Sequence, residues 1–401
     1  LKWVLIDLLT DLKANEDRAI TVELGRGVTR QPVPSPLQVK DEAGQFTILD
    51  GVLRYVINKQ RFNLLDLVAL HKDGGPNDPV LLEPGQPGVV LRDEQGKECS
   101  SSAVPPDRVV IEQQGPVKVV VRVEGKYGAA DGSTYMRYVA RLTFHAAQRA
   151  GAPWRVGVAW TTINDYLKTE FTDVTSLSLP LSPAGAEKYG RVYVRDAAGK
   201  LQRFGRLDPA RQDSLLQQDD RTCLINGEAQ SGGRAPGLGE CGTGRGSLTV
   251  AVQDFWQRWP KGFDWDGTRL HVNLLPTQPG PDFGQGLPHY LLFNLCEGKY
   301  RFKWGMSFTE RFTLQFNAGD PTREALFADT NKPIVAVVPA AWYAQTAALG
   351  RVAVPLGKQF AVWDKWVLDA FNANLRVKER DREYGFLNYG DWYGERGRNW
   401  G

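Results

Sequence analysis

The chain has 401 residues, of which 42% are hydrophobic and 24% are charged, and its net charge is +3. This length allows two or three domains with separate cores, and the composition is ordinary for a globular protein. The near balance of charge, without a Lys/Arg run interleaved with aromatic residues, gives no reason to expect a nucleic-acid partner. No apolar run approaches the length of a membrane span, so no membrane partner is expected either.

The chain begins at Leu1 rather than Met, and its first segment, LKWVLIDLL, is apolar and strand-like. This segment has neither the basic region nor the small-residue cleavage site of a signal peptide. We therefore expect the true N-terminus to lie upstream. Secretion or a periplasmic location is favoured over the cytoplasm, although no signal peptide is present in this stretch.

From about Ala19 to Pro339 the sequence is typical of a β protein. Short runs rich in Val, Leu, Thr and aromatic residues, among them AITVEL, QFTILD and VLRYVI, alternate with Gly, Pro and Asp turns. The segment Arg108 to Gly125 predicts a hairpin that turns at Gln114-Gly115-Pro116. The runs TYMRYVARLTFHA and WRVGVAWTTI continue the pattern of alternation.

Three domains are predicted. Pro-rich loops punctuate the first part, and AVPPD near residue 105 marks a linker, so residues 1–105 are expected to form a small β-barrel or sandwich. Residues 106–339 hold the longer strands and predict a larger β-sandwich. Residues 340–401 change character and begin a helical domain.

Two helices are predicted in that last part. The segment Ala340 to Gly350 contains helix formers and ends at a glycine. In the second helix, which should end at Gly385, an apolar stripe recurs at helical spacing: Phe360, Trp363, Trp366, Val367 and Ala370. We expect this stripe to be buried against further helices of the same domain, beyond Gly401.

The four cysteines, Cys99, Cys223, Cys241 and Cys296, show no CxxC spacing, so no zinc site is predicted. Cys223 and Cys241 bracket a Gly-rich segment whose ends a disulfide bond could join in an oxidising compartment. Four unpaired thiols in a cytosolic protein are the alternative. No cofactor is predicted, and a requirement for a divalent cation such as calcium is left open.

The final stretch, GFLNYGDWYGERGRNWG from Gly385 to Gly401, combines glycines, aromatic residues, arginines and carboxylates. Glycine lets a backbone approach a ligand closely, and aromatic residues with Arg, Asp or Glu recur in carbohydrate sites. A loop of this composition costs stability unless it serves a site, so we interpret it as functional. The chain stops directly after it, which predicts a protein truncated within its active region.

Other stretches contain candidates with competing interpretations. The loop DFWQRWPKG, within Val252 to Gly267, is rich in aromatic residues that suit either a core or a ligand. His145, on an alternating strand, is better explained as a structural residue than as a base. Three cations that alternate with aromatic residues indicate either a solvated strand face or a cationic groove for an acidic sugar: Lys299, Arg301 and Lys303.

Three stretches together carry a family resemblance: DFWQRWPKG, KYRFKWGMSFTERFTLQF and the terminal motif. In this order they resemble the exo-rhamnogalacturonan lyases, the YetA-like proteins of polysaccharide lyase family 26, and WVLIDLLTD followed by ITVELG is similar to the start of that family. The resemblance implies an N-terminal RIFT-type β-barrel, a central β-sandwich and a C-terminal α/α toroid. Where a Thr-His pair is expected, this chain has Phe308-Thr309-Glu310-Arg311.

The leading hypothesis is therefore an exo-acting lyase that cleaves a uronic-acid polysaccharide, such as the rhamnogalacturonan I backbone of pectin, by β-elimination. A cation must neutralise the uronate, a base must remove the C5 proton and an acid must protonate the leaving oxygen. Arg396 or Arg398 suits the first role, Tyr389 or Tyr393 suits acid or base, and His289 is a second candidate base. Substrate binding, by stacking or hydrogen bonding, is assigned to the following residues: Asn388, Asp391, Trp392, Glu395, Arg398 and Trp400.

Two alternatives remain open. Asp391 and Glu395 lie one turn apart if their segment is helical, and such a carboxylate pair could hydrolyse glycosides instead. A non-catalytic carbohydrate-binding β-sandwich is the second alternative. These 401 residues by themselves are expected to be inactive, because the toroid half of the site would be absent.

Overall fold

The computed structural model describes residues 5–8, 10, 16–23, 25–29, 31–71, 78–146, 154–196, 198–207, 215–277, 295–296, 298–317, 320–332, 337–350, 357–385, 392–393 and 399–400. For a few of these only the backbone is described: 205–207, 295–296, 320–322, 357–358, 392–393 and 399–400.

The described chain is mainly β, as predicted. The strands are β1 Gln38–Asp41, β2 Gln45–Leu49, β3 Leu53–Asn58, β4 Leu67–Leu70, β5 Val80–Leu82, β6 Val90–Asp93, β7 Glu98–Ser100, β8 Arg108–Gln114, β9 Lys118–Gly128, β10 Thr134–His145, β11 Trp154–Ile163, β12 Phe171–Leu181, β13 Tyr189–Arg195, β14 Leu201–Leu207, β15 Leu215–Gln217, β16 Cys223–Ile225, β17 Glu228–Ala229, β18 Leu238–Thr243, β19 Gly246–Val252, β20 Lys261–Trp265, β21 Leu270–Leu275, β22 Leu295–Cys296, β23 Lys299–Lys303, β24 Ser307–Phe316, β25 Trp392–Tyr393 and β26 Asn399–Trp400. The helices are α1 Asp320–Asn331, α2 Ala340–Thr346 and α3 Ala361–Arg380, the last preceded by a 3₁₀ turn at Gly357–Phe360.

Strands β1 to β5 form an antiparallel five-stranded sheet in which each strand pairs with the next along the chain. Alternation in the sequence explains which face is buried, because successive side chains of a strand point to opposite faces. Leu53, Tyr55 and Ile57 are buried every second residue along β3. The hydroxyl of Tyr55 donates to Asp50 Oδ2 at 2.8 Å, so this buried polar group is satisfied.

Strands β6 to β24 build two large antiparallel sheets, which are joined where β7 pairs with β9, and β25 and β26 form a separate short pair. Sheet I has the order β14-β13-β18-β19-β24-β11-β10-β9-β8. Sheet II has the order β17-β16-β15-β20-β21-β12-β6-β7, with β23 also beside β12 and β22 beside β23. The two sheets lie face to face: a Cβ added to Gly239 of sheet I would lie 2.7 Å from the ring of Phe263 in sheet II.

The core between the sheets is continuous with the core of the N-terminal sheet. Trp160 of β11 is fully buried and donates its indole N–H to the hydroxyl of Tyr127 at 2.8 Å. Phe62, which follows β3, stacks on the Trp160 ring with the centroids 6.0 Å apart. Large aromatic side chains supply much of the apolar area buried in such a core, so this contact couples the two parts of the chain.

Several element predictions are confirmed. The predicted hairpin of residues 108–125 is the pair β8 and β9, and the two alternating runs that follow it are β10 and β11. Two predictions are wrong. AITVEL forms no strand in its described residues 19–23, and helix α1 lies in a region that the sequence predicts to be β.

Strands β6 and β7 lie before the predicted linker at residue 105, yet both pair with strands of the large sheets. Val90 to Asp93 pair with β12, and Ser100 pairs with Gly128 of β9. Backbone N–H and C=O groups of strands form hydrogen bonds with any suitably placed strand. The Pro-rich loop near residue 105 therefore does not prevent strands on its two sides from pairing. The Pro-rich segment near residue 105 therefore does not mark a break in the hydrogen bonding between strands.

Helix α3 contains the predicted apolar stripe but ends at Arg380, before Gly385. Its large apolar side chains are exposed; Trp363 and Trp366, for example, have 62% and 61% of their surface accessible. Among the described residues, no helix combines the length with the apolar character that crossing a bilayer requires.

The disulfide bond considered between Cys223 and Cys241 is absent: both are buried free thiols, as is Cys99. Cys223 lies on β16 of sheet II and Cys241 on β18 of sheet I, so the sandwich holds the two side chains in different sheets. The Cys241 thiol instead donates to the carbonyl oxygen of Leu181 at 3.9 Å. Burial raises the pKa of the Cys223 thiol to about 12, which keeps it protonated and unreactive.

Candidate functional site

A buried ion cluster joins the first two stretches that carry the resemblance. Glu310 of β24 is fully buried, and its Oε1 lies 2.9 Å from Nη2 of Arg258 and 3.2 Å from Nζ of Lys261. Arg258 precedes β20, and Lys261 is its first residue. A buried carboxylate is tolerated where cations and hydrogen bonds compensate for its desolvation. The loop DFWQRWPKG is thereby attached to β24.

Lys261 is itself fully buried and also donates to the carbonyl oxygen of Leu274 at 2.8 Å. Burial lowers its pKa to about 8, although the negative charge of Glu310 acts in the opposite direction. Like-charge repulsion from Arg258 contributes to this lowering of the pKa. Lys261 is therefore a structural group between the two sheets, with a pKa close to neutral pH.

The third stretch begins on the same loop. The backbone N–H of Gly385, the first residue of the terminal motif, donates to the carbonyl oxygen of Gln257 at 2.8 Å. A Cβ added to Gly385 would lie 3.6 Å from the ring of Trp259, which is buried and joined to Pro260 by a cis peptide bond. All three stretches of the resemblance thus meet at the loop before β20.

The segment that follows helix α3 is packed on this loop by aromatic and cationic side chains. The ring of Tyr384 lies 4.9 Å from that of Trp256, and the guanidinium of Arg234 lies 3.8 Å from the centre of the Trp256 ring. Arg234 also pairs with Glu379 at 3.1 Å, and Tyr384 donates its hydroxyl to Glu379 at 2.6 Å. Cation–π and charge-assisted contacts of this kind orient planar groups. We call Arg234, Trp256, Glu379 and Tyr384 the junction cluster.

Burial raises the pKa of Tyr384 to about 12, and its hydrogen bond to Glu379 acts in the same direction. A second ionic contact holds the same segment. Arg382, with a left-handed φ of 58°, binds Asp220 at 2.8 Å and Asp219 at 3.0 Å. The end of helix α3 is therefore fixed to sheet II, and the chain enters the terminal motif from a defined position.

A cavity of about 530 Å³ lies beside the junction cluster. Trp256 and Phe255 contribute aromatic walls, and Asn331 and Lys332 at the end of helix α1 contribute an amide and a cation. A pocket of this size with a few polar groups fits a small ligand such as a sugar ring. Helix α1 is held there by Arg323, whose Nε donates to buried Glu240 at 2.8 Å.

Most of the site residues predicted from the sequence lie outside the described residues: Tyr389, Arg396, His289, Asn388, Asp391, Glu395 and Arg398. For Trp392, Tyr393 and Trp400 the backbone alone is described, and it forms a short antiparallel pair in which Trp392 is opposite Trp400. The roles of all these residues remain predictions.

Of the other candidates, Arg301 forms two hydrogen bonds with Asp173, at 2.9 and 2.8 Å, and Lys303 lies 3.7 Å from Glu170. This pairing favours the interpretation as a solvated strand face. His145 ends β10 at an exposed position, where partial desolvation and the positive charge of Lys118 lower its pKa. The junction cluster was missed because its members are far apart in the sequence and no local motif connects them.

The fold is that of a mainly β protein built around a large β-sandwich. Residues 37–176 and 218–272 match the family model described as the PcRGLX-like protein central beta sandwich domain. That match supports, at a coarse level, the resemblance to rhamnogalacturonan lyase-like proteins. The comparison with curated proteins found no match.

Three solved structures show distant likenesses to this chain. A GalM/aldose epimerase homologue from C. elegans is 7% identical with a TM-score of 0.33, covering 66% of this chain and 95% of its own. A candidate aldose 1-epimerase from Klebsiella pneumoniae is 9% identical with a TM-score of 0.39, covering 75% and 91%. A beta-arabinopyranosidase is 9% identical with a TM-score of 0.35, covering 66% of this chain and 39% of its own. At such low scores they carry no argument about function.

Proposed function

We propose that this chain is part of a polysaccharide lyase that cleaves a uronic-acid-containing polysaccharide, such as the rhamnogalacturonan I backbone, by exo-acting β-elimination. The observation that carries the proposal is the meeting of the three family-like stretches at one loop. Glu310 binds Arg258 and Lys261, and Gly385 binds Gln257. The match to the PcRGLX-like sandwich domain supports the same family independently.

The surroundings of that loop suit an acidic saccharide. Trp256 offers an aromatic ring beside a cavity of about 530 Å³, and Lys332 contributes a positive charge to the same cavity. Sugar rings bind through apolar faces and hydroxyl edges, and a uronate requires a cation. The terminal motif begins at Gly385, which is hydrogen-bonded to the cavity-lining Gln257, and would complete the site.

Within the motif, Arg396 or Arg398 would neutralise the uronate, which makes the C5 proton acidic enough to remove. Tyr389 or Tyr393 would act as base or acid, with His289 as the other candidate base. The remaining motif residues, from Asn388 to Trp400, would bind hydroxyls and stack on rings. The RIFT-type barrel, the α/α toroid, the acidic polysaccharide partner and the secreted or periplasmic location belong to the same proposal.

The test is lyase activity in the full-length protein, measured as ultraviolet absorbance of the unsaturated uronate product. Arg396→Ala and Tyr389→Phe should each abolish it, whereas Arg396→Lys should retain part of it, because a lysine keeps the charge but loses the bidentate geometry. Unchanged rates in both Arg396→Ala and Tyr389→Phe would remove these assignments. New reducing ends without a double bond would instead identify a hydrolase, for which Asp391 and Glu395 are the candidate carboxylates.

A further inference from the structure

A separate groove of about 920 Å³ lies on the outer face of sheet II. Side chains alternate between the two faces along a strand, so every second residue points to this outer face. Residues that are paired on neighbouring strands point to the same face. Asp264 of β20 pairs with His271 of β21, and Asn273 of β21 pairs with Ser178 of β12. All four residues line the groove. The pairing register therefore assembles one polar strip across three strands.

The groove is separate from the buried ion cluster of Glu310, Arg258 and Lys261. On β20, Lys261, Phe263 and Trp265 are buried in the core, whereas Asp264 is half-buried on the opposite face. The strand thus separates Lys261, which binds Glu310 inside the sandwich, from the groove outside it. A ligand in the groove would contact neither the Lys261–Glu310 pair nor the junction cluster.

The polar groups of the strip are held in fixed orientations. Asn273 donates its side-chain N–H to Asp264, and burial raises the pKa of that carboxyl group. His271 Nε2 lies 2.9 Å from Asp266 Oδ2, a bond that orients the imidazole ring. Preoriented carboxylate, amide and imidazole groups, each with capacity for a further hydrogen bond, suit the vicinal hydroxyls of a sugar.

Arginines line the same groove. Arg92 lies 3.2 Å from Glu98, so its charge is compensated. Arg61 and Arg269 are exposed and form no ion pair within the described part of the chain. The guanidinium of Arg61 donates to the carbonyl oxygen of Gly85 at 3.5 Å. An uncompensated guanidinium beside a hydroxyl-binding strip attracts a carboxylate and can bind it through two parallel hydrogen bonds.

We propose that this groove is a second saccharide-binding site, which holds a short uronate-containing oligosaccharide with its hydroxyls on Asp264, His271 and Asn273 and its carboxylates toward Arg61 and Arg269. The volume of the groove suits a ligand of a few sugar rings. The site needs no lyase activity. It would act by holding an acidic chain on the sandwich, away from the reacting bond.

The test is isothermal titration calorimetry on the full-length protein carrying Arg396→Ala, so that lyase turnover does not consume the ligand. The probes are a short galacturonate oligosaccharide and its carboxyl-reduced counterpart, which keeps the hydroxyls but lacks the charge. The galacturonate form should bind. The affinity of the carboxyl-reduced form should be lower by about tenfold or more, because its charge-assisted hydrogen bonds are lost.

Adding Arg61→Gln and Arg269→Gln together should weaken galacturonate binding about tenfold or more. Arg203→Gln is the matched control, since Arg203 is an exposed arginine on β14 outside the groove, and it should leave affinity unchanged. Asp264→Ala should weaken the binding of both saccharides, because it removes a side chain that is assigned to hydroxyls present in both.

The proposal is overturned if galacturonate does not bind, if both saccharides bind equally, or if the double arginine variant binds as well as Arg203→Gln. Equal thermal unfolding midpoints for all variants establish that the comparison concerns folded protein. Lyase activity is measured separately without the Arg396→Ala change, so failure of the groove and failure of the lyase proposal give different results.

Discussion

Gly385 and Gln257 are joined backbone to backbone by a 2.8 Å hydrogen bond, which attaches the first residue of the terminal motif to the loop before β20. The same loop is attached to β24 through Arg258 and Glu310. Three segments that are far apart in the chain are therefore held together by one backbone contact and one buried ion cluster. This arrangement leads to the predictions below.

Replacing Glu310 by Gln should lower the free energy of unfolding by about 3–5 kcal/mol, the usual cost of removing one partner from a buried ion pair. The change removes the negative charge beside two cations, one of which, Lys261, is fully buried. Urea denaturation measures the effect. Asp369→Asn, which breaks the exposed pair with Lys365, is the control and should cost at most about 0.5 kcal/mol. Equal costs for the two variants would contradict the role given to Glu310.

Gly385→Ala should loosen the attachment of the terminal motif. Gly385 has a φ of +138°, a conformation that side chains rarely adopt, and the strain should cost about 1–3 kcal/mol locally. Hydrogen exchange of the Gly385 amide should become faster, because its bond to Gln257 is weakened. Gly44→Ala serves as control, since Gly44 has an ordinary φ and no atom within 4 Å of an added Cβ. Unchanged exchange at Gly385 would show that the backbone there tolerates a side chain.

Arg234→Met should detach the end of helix α3 without unfolding the sandwich. It removes the ion pair with Glu379 and the guanidinium stacked on Trp256. Limited proteolysis should then cut between helix α3 and Gly385 sooner than in the parent protein, while the sandwich stays resistant. Lys365→Met, on the exposed surface of the same helix, should not change the cleavage rate. Cleavage first within the sandwich would argue against a local effect.

The His271–Asp266 contact should make stability depend on acidity. Burial alone would raise the pKa of Asp266, but hydrogen bonds from His271, Thr268 and Arg269 outweigh burial and lower the pKa to about 2. A folded-state pKa below the reference value of 3.8 means that the unfolded chain binds the proton more tightly. Asp266 therefore contributes stability that is present above pH 3.8 and is lost as the pH falls through about 2.

Asp266→Asn should abolish that part of the acid dependence. The stability difference between the parent protein and this variant should be largest above pH 3.8 and should shrink toward pH 2. Urea midpoints at several acidic pH values measure it. Asp41→Asn is the control, because Asp41 is an exposed carboxylate that pairs with Lys59, far from Asp266 in the sequence. A difference that stays constant over the range would contradict the assignment to Asp266.

Parts of the candidate site could be predicted and parts could not. The terminal motif and the loop with Trp256 and Trp259 were recognised by their composition, because aromatic and charged residues between glycines are conspicuous in a sequence. Their proximity was not predictable, since it depends on Glu379, Tyr384 and Arg234, which carry no motif. The Asp264–His271 strip was also missed. The only available signal was that two polar residues alternate with buried ones on each side of a turn, and this is common on solvated strands.

The sequence by itself determined that the chain is mainly β, where the hairpin of β8 and β9 turns, and that a helix with an apolar stripe follows the sandwich. These are local properties, because side-chain alternation, turn residues and helical spacing act over a few neighbouring positions. Only the tertiary structure decided that β6 and β7 belong to the large sheets, that Cys223 and Cys241 lie in different sheets, and that Glu310 binds Arg258. Those outcomes depend on which distant segments bury their apolar faces and charges together, and a linear pattern does not specify that choice.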